Sequence, residues 1–170
     1  MKLYKTKIAA VAHEVVSSLA EAGDIEVSDA NEAQLDVESV LNEYLRMDRE
    51  LSDKAKDILD ARKLPYGQFF KLKKTMAEEK GFVLGDEAGP YLANQVLETF
   101  MHSPHVDEVF ADDVVLRKKI KDIIKKHMMV DEQLDEEVRR RIKNLEEGTQ
   151  TWEIEYGKVM DQMKRKHGLE

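Results

Sequence analysis

The side chains best suited to chemistry sit in one stretch, HSPHVDEVFADD at residues 102–113. His102, His105, Asp107, Glu108, Asp112 and Asp113 all offer donor atoms to a divalent cation, and imidazole combined with carboxylate suits zinc, iron or manganese. His102, His105 and Asp112 are the ligands this stretch would supply first, and His127 could join them from the following helix. The spacing matches no ligand signature, however. Pro104 puts the pair of histidines in a loop, without the i,i+4 helical geometry that zinc proteases use. The favoured reading is a solvated turn in which Ser103 and Pro104 end one helix and Asp112 or Asp113 caps the next.

A second candidate is a basic face. RKKIKDIIKK at 117–126 and RRRIK at 139–143 lie in one helical region. Arg117, Lys121 and Lys125 recur every four residues, so they share a side, which Lys118 widens; Arg139 and Arg140 follow further on. Such a stripe could meet nucleic acid or an acidic partner. Five carboxylates from Asp131 to Glu137 separate the two runs, and no aromatic residues interleave with them to stack bases. The ordinary account, a solvated helix side, is preferred. The aromatics themselves gather in LPYGQFF (Tyr66, Phe69, Phe70) and TWEIEY (Trp152, Tyr156). They are expected in the core or between packed halves, and any left exposed would be an interface anchor.

Other chemistry is missing from the sequence. GFVLGDEAG has glycines but neither the lysine–serine pair nor the preceding strand of a phosphate-binding loop, and no GxSxG elbow occurs. With no cysteine there is no disulfide framework, thiol nucleophile or cysteine-bound metal. No cofactor is expected, and carboxylates are too many for a catalytic pair to stand out. The reading leans away from an enzyme.

The elements that would position these residues are helices. Only 8 Gly and 3 Pro punctuate 170 residues, 36% of them charged. Apolar residues at spacings of three and four predict helices over about 5–22, 29–63, 66–80, 86–102, 112–145 and 149–166. DIEV at 24–27 reads as a short extended piece after the helix stop at Gly23. Asp48 and Asp131 interrupt the apolar stripes of the two long helices. Each is expected to cap a restarted helix, with an ion pair to Lys or Arg as the alternative. The fold expected is all-α: a bundle of about six helices, with breaks near Asp48 and Asp131.

The same unit is expected twice. VAHEVVSSLAEAGDIEV overlays LANQVLETFMHSPHVDEV, so Val11 meets Leu92, Val15 meets Val96 and Leu19 meets Phe100. VLNEYLRMDRELSDKAKDIL overlays IIKKHMMVDEQLDEEVRRRI, so Val40 meets Ile123, Asp48 meets Asp131 and Leu59 meets Ile142. A weaker match aligns Phe69 with Tyr156 and Met76 with Met163. The expected organisation is therefore 1–84 and 85–170 as two helical repeats packed into one bundle. Two copies are too few for a solenoid.

Net charge is −8, with 14 acidic and 7 basic residues in positions 1–60. Such a chain is a poor default binder of phosphate backbones. No run approaches the length that spans a membrane, and the N-terminal MKLYKTKIAAVAHEVV reads as helix, not signal peptide. The strings MKLY, GDIEV, LPYGQF, HSPHVDEVFADD and RIKNLEEGTQTWEIEY together resemble a bacterial family catalogued as domain of unknown function 507, over essentially the whole chain. That resemblance implies a cytoplasmic helical protein and brings no catalytic residues with it. The expected function is a non-enzymatic helical module that binds another protein, and itself. The alternatives are nucleic-acid or ribosome association through residues 117–143, and a divalent metal at the HSPH loop.

Overall fold

Helix α1 (Ile8–Glu21) buries Ile8, Val11, Ala12, Val15, Val16 and Leu19, the stripe that its three-and-four spacing predicts. Gly23 then takes φ 75°, which lets Asp24 N–H reach back 2.9 Å to the Leu19 carbonyl and turn the chain sharply. In this computed structural model, which describes residues 2–169 with the Asp131 side chain outside the described residues, the chain continues as follows. Strand β1 (Ile25–Val27) leads to α2 (Ala30–Arg62), α3 (Phe69–Glu79), α4 (Ala88–His102), strand β2 (Val106–Val109), α5 (Asp113–Met128), α6 (Val130–Arg141) and α7 (Gln150–Lys166). The protein is an all-α helical bundle carrying one small two-stranded sheet.

Helix α2 begins where Asp29 accepts a hydrogen bond from Glu32 N–H at 3.1 Å, and it runs unbroken for 33 residues. The break expected at Asp48 does not occur. Asp48 caps nothing; its carboxylate instead holds Lys73 Nζ of α3 at 2.7 Å. That ion pair was the alternative reading, and an unbroken helix tolerates it because Asp48 lies toward the edge of the apolar stripe, 39% exposed. In the other long region the helix does interrupt, at Met129, which stands at the N-cap position of α6. Asp131 is therefore the second residue of α6 and not its cap, and its side chain lies outside the described residues. Lys63 ends α2 in the left-handed region (φ 51°), and Pro65 follows where the helix cannot continue.

The strand β2 was not expected. VDEV, part of a stretch expected to be a turn, pairs antiparallel with β1, Ile25 opposite Val109 and Val27 opposite Val106. The pairing is extended when Asp24 O accepts from Phe110 N–H (2.8 Å) and His105 O accepts from Ser28 N–H (3.1 Å). Val106 and Ile25 are buried in the main core, so this short sheet closes one end of the bundle.

Three apolar clusters hold the chain together. The main one is built from α1, the first half of α2, α4 and α5, with Phe100, Leu41, Ile120 and Ile124 among its most buried side chains. The second joins α6 to α7 through Leu134, Val138, Met160 and Met163, sealed by Tyr4 and Leu169. The third joins the second half of α2 to α3 through Ala55, Leu59 and Phe69. Burying such side chains contributes about 1.5–3 kcal/mol each. The two helical hairpins α2–α3 and α6–α7 thus extend from a shared four-helix body.

Candidate functional site

A concavity lies where the α2–α3 hairpin leaves the body. Leu45 and Asp48 of α2, Phe70, Lys73 and Ala77 of α3, the segment Phe82–Gly85 and Leu3 surround a cleft of about 660 Å³. Its wall is fixed by Tyr44, which stacks on Phe82 with ring centroids 4.8 Å apart and donates a hydrogen bond to Val83 O at 3.0 Å. Burial, helped by the nearby Asp48 carboxylate, pushes the Tyr44 phenol above its ordinary range, so it stays protonated and donating. Lys73, bridged to Asp48, ties α3 to α2 along the same wall. A smaller cleft of about 350 Å³ lies on the other side of Tyr44, between α2 and α4.

The tip of the α2–α3 hairpin carries a different feature. Phe69 is buried against Leu59 and Ala55, as an aromatic at an apolar position should be. Tyr66 and Phe70 are not: they are 67% and 76% exposed, against the expectation that they would be core. Tyr66 lies flat on Phe69, centroids 5.5 Å apart and planes 6° apart, and Phe70 meets Phe69 edge-on at 5.3 Å. The aromatics of the α6–α7 hairpin are instead occupied internally. Trp152 stacks on Tyr156 at 5.0 Å, Arg139 covers both rings, and the Tyr156 hydroxyl donates to Asp135.

Among the described residues no group of three His, Asp or Glu side chains converges to hold a metal ion. His102 is the last residue of α4, Asp112 is the residue before α5, and the strand β2 stands between them. The nearest carboxylate to the His105 ring is Glu32, at 4.0 Å. Ser103 organises the turn instead: its hydroxyl donates to Asp36 at 2.5 Å and accepts from His105 N–H at 3.1 Å.

The basic face is likewise divided. Arg117 faces Asp113 at 3.6 Å, and Arg139 is held by Asp135 at 2.9 Å and Glu147 at 2.7 Å. Lys121 and Lys125 border a cleft at the start of α4 that also contains Asp86 and Glu87. Lys118 and Arg140 are exposed. The six candidates do not make one continuous positive surface. His127 is drawn to Glu14 of α1, Nε2 to Oε2 2.5 Å, beside a Lys126–Glu14 contact of 2.7 Å. The hydrogen bond from Lys126 leads in holding the Glu14 carboxyl below its usual range, with His127 adding to it.

The cleft and the cationic, aromatic tip were both missed from sequence. Residues 54–75 hold seven Lys or Arg against two acids, in a chain of net charge −8, and that local reversal was available as a signal.

The class defined by this geometry is an all-α helical bundle with surface clefts. The chain belongs to the family described as Protein of unknown function (DUF507), whose model matches residues 1–169. Among curated proteins none matches it. No helix among the described residues is long and apolar enough to cross a membrane.

Proposed function

We propose that the chain is a tandem pair of one helical unit, residues 1–84 and 85–170, and that it works as a non-enzymatic module whose α2–α3 cleft receives an amphipathic helix of a partner protein. The duplication is supported by the crosswise strand pairing, since Ile25 aligns with Val106 in sequence while Ile25 pairs with Val109 and Val106 with Val27. It is supported also by a constant offset along the long helices: buried Val37, Leu41, Leu51, Ala55 and Leu59 correspond to buried Ile120, Ile124, Leu134, Val138 and Ile142.

The observation that carries the binding reading is the 660 Å³ cleft. Its apolar lining includes the buried Ala77, Phe82 and Met128 and the half-buried Leu45 and Leu84, while exposed Lys2, Lys74, Glu78 and Glu87 flank them. An apolar floor between charged margins of both signs is the complement of a helix with an apolar stripe and flanking charges. The test is a photo-crosslinking residue at Val83 in the cleft, with one at Asp107 as control, in the native host cell. The expected result is a single protein captured from position 83 alone, through a segment with helical apolar periodicity, that binds the purified chain one to one and is lost with Val83→Arg. Equal labelling at both positions, or a capture that Val83→Arg leaves intact, removes the reading.

A further inference from the structure

The α2–α3 tip differs from the rest of the molecule in charge, and its cations are uncommitted. Residues 54–75 carry seven Lys or Arg and two acids within a chain whose net charge is −8. Lys54 and Lys73 have carboxylate partners, in Glu50 and Asp48. Lys56, Arg62, Lys63, Lys71 and Lys74 are exposed, and no ion pair is recorded for them among the described residues. Some cations elsewhere are matched by carboxylates, Arg46 by Glu43 and Glu50, Lys119 by Asp24, Arg139 by Asp135 and Glu147. A cluster of unpaired cations is repulsive in isolation, which makes it a structural cost unless an anion visits it.

The rings at this tip add a second, independent feature. Tyr66 rests one face on Phe69, nearly parallel at 6°, and is 67% exposed, so its opposite face is open to solvent. Phe70 stands edge-on to Phe69 and is 76% exposed. Phe69 in turn is anchored on Leu59, so the platform is rigid where it must be and open where a planar group could land. In the α6–α7 hairpin the corresponding positions read Glu153 and Gly157, and its rings are covered by Arg139. The open rings and the exposed cations thus occur together on this hairpin, whereas on α6–α7 the rings are covered.

We propose that the tip of the α2–α3 hairpin binds single-stranded nucleic acid, its phosphates met by Lys63, Lys71 and Lys74 and its bases stacked on Tyr66 and Phe70. Single strands favour this combination, because every base has a π-face and an aromatic platform accepts it without reading its edges. An acidic peptide would use the charges and leave the rings idle. A duplex would present no open base to them.

The test is fluorescence anisotropy of the full chain with a labelled oligouridylate of about 12 nucleotides, the same length of duplex, polyglutamate, and vesicles containing anionic lipid. The expected result is a dissociation constant on the order of 10 µM at low salt, weakening with a log–log salt slope of about −2 for the three phosphates contacted. Tyr66→Ala with Phe70→Ala weakens binding by about tenfold or more without changing that slope. Lys63→Glu with Lys71→Glu and Lys74→Glu abolishes it. Lys118→Glu with Arg140→Glu leaves it unchanged. Phe70 and Lys74 also line the cleft, so Tyr66→Ala with Lys63→Glu and Lys71→Glu, which leave the cleft intact, separate loss of this reading from loss of the partner-helix one. All substituted side chains are exposed, and circular dichroism checks that each variant folds. Absence of oligouridylate binding at 20 mM salt overturns the proposal. So does duplex binding as tight as single-strand binding with the aromatic variants neutral, and so does binding confined to polyglutamate or to vesicles.

Discussion

Glu14 of α1 and His127 of α5 meet at 2.5 Å, and the second carboxylate oxygen of Glu14 takes Lys126 at 2.7 Å, so one acid on the first helix clamps two consecutive residues 112 and 113 positions away. The contact holds the Glu14 carboxyl below its ordinary value of 4.5. A carboxylate whose folded value is depressed stabilises the fold above the unfolded value, and that contribution disappears as pH falls through the folded one. Glu14→Gln is expected to cost about 0.5–1 kcal/mol at pH 7, a modest figure because the group is part-exposed and screened. The gap from the native chain should close as pH drops below 4.5. Denaturant titrations at pH 7, 5 and 3 measure it, and a gap that stays constant would mean that the charge on Glu14 is not what matters.

The Asp48–Lys73 bridge ties the two helices of the first hairpin across the cleft wall. Lys73 is only 14% exposed, so removing its partner leaves an ammonium group with little water. Asp48→Ala is expected to destabilise by about 1–2 kcal/mol, whereas Asp48→Ala combined with Lys73→Met should recover most of the loss. A double-mutant cycle by urea unfolding measures the coupling; additive losses would show that the pair is incidental.

Ser103 joins three elements with one hydroxyl, linking α2 through Asp36 to the turn before β2 through His105 N–H. Ser103→Ala deprives both partners and is expected to cost about 1 kcal/mol. Amide exchange at His105 and at the β1–β2 pairs should quicken with it. If only global stability falls while those amides keep their relative protection, the hydroxyl does not organise this turn.

The separate apolar clusters predict unequal responses to cavities. Ile120→Ala, in the main core, is expected to cost about 2–4 kcal/mol and to lower the midpoint of the whole unfolding transition. Leu134→Ala should do comparable local damage but release α6 and α7 first, seen as early loss of amide protection there. Identical exchange patterns for the two variants would mean that the clusters unfold as one.

Helix positions were legible because apolar residues at three-and-four spacing leave little alternative: Val11, Val15 and Leu19 are all fully buried. Caps were legible where a short polar side chain precedes such a stripe, as at Asp29 and at Thr149, whose hydroxyl accepts from Trp152 N–H at 3.2 Å. The same capping logic misled at Asp48, because a carboxylate beside an apolar stripe can equally serve a lysine on a neighbouring helix, and sequence does not say which helix is the neighbour. β2 was obscured for a related reason. Four residues have no partner until the fold brings Ile25 and Val27 alongside them. The histidines of HSPH drew notice by type alone, whereas the structure places Ser103 at the centre of that turn. Tyr66 and Phe70 were misjudged because an aromatic counts as apolar in any periodic pattern, although only Phe69 of the three faces Leu59.

The strand pairing of Ile25 with Val109 also bears on how the chain is made. A ribosome that has finished α1 and α2 has produced two greasy helices whose other two walls, α4 and α5, are still to come. Docking waits on closure of a loop of about 80 residues, slower than zipping a hairpin. For that interval the nascent protein exposes its stickiest surface, which makes the half-synthesised chain, more than the finished one, a substrate for chaperones and prone to join with another half-made copy.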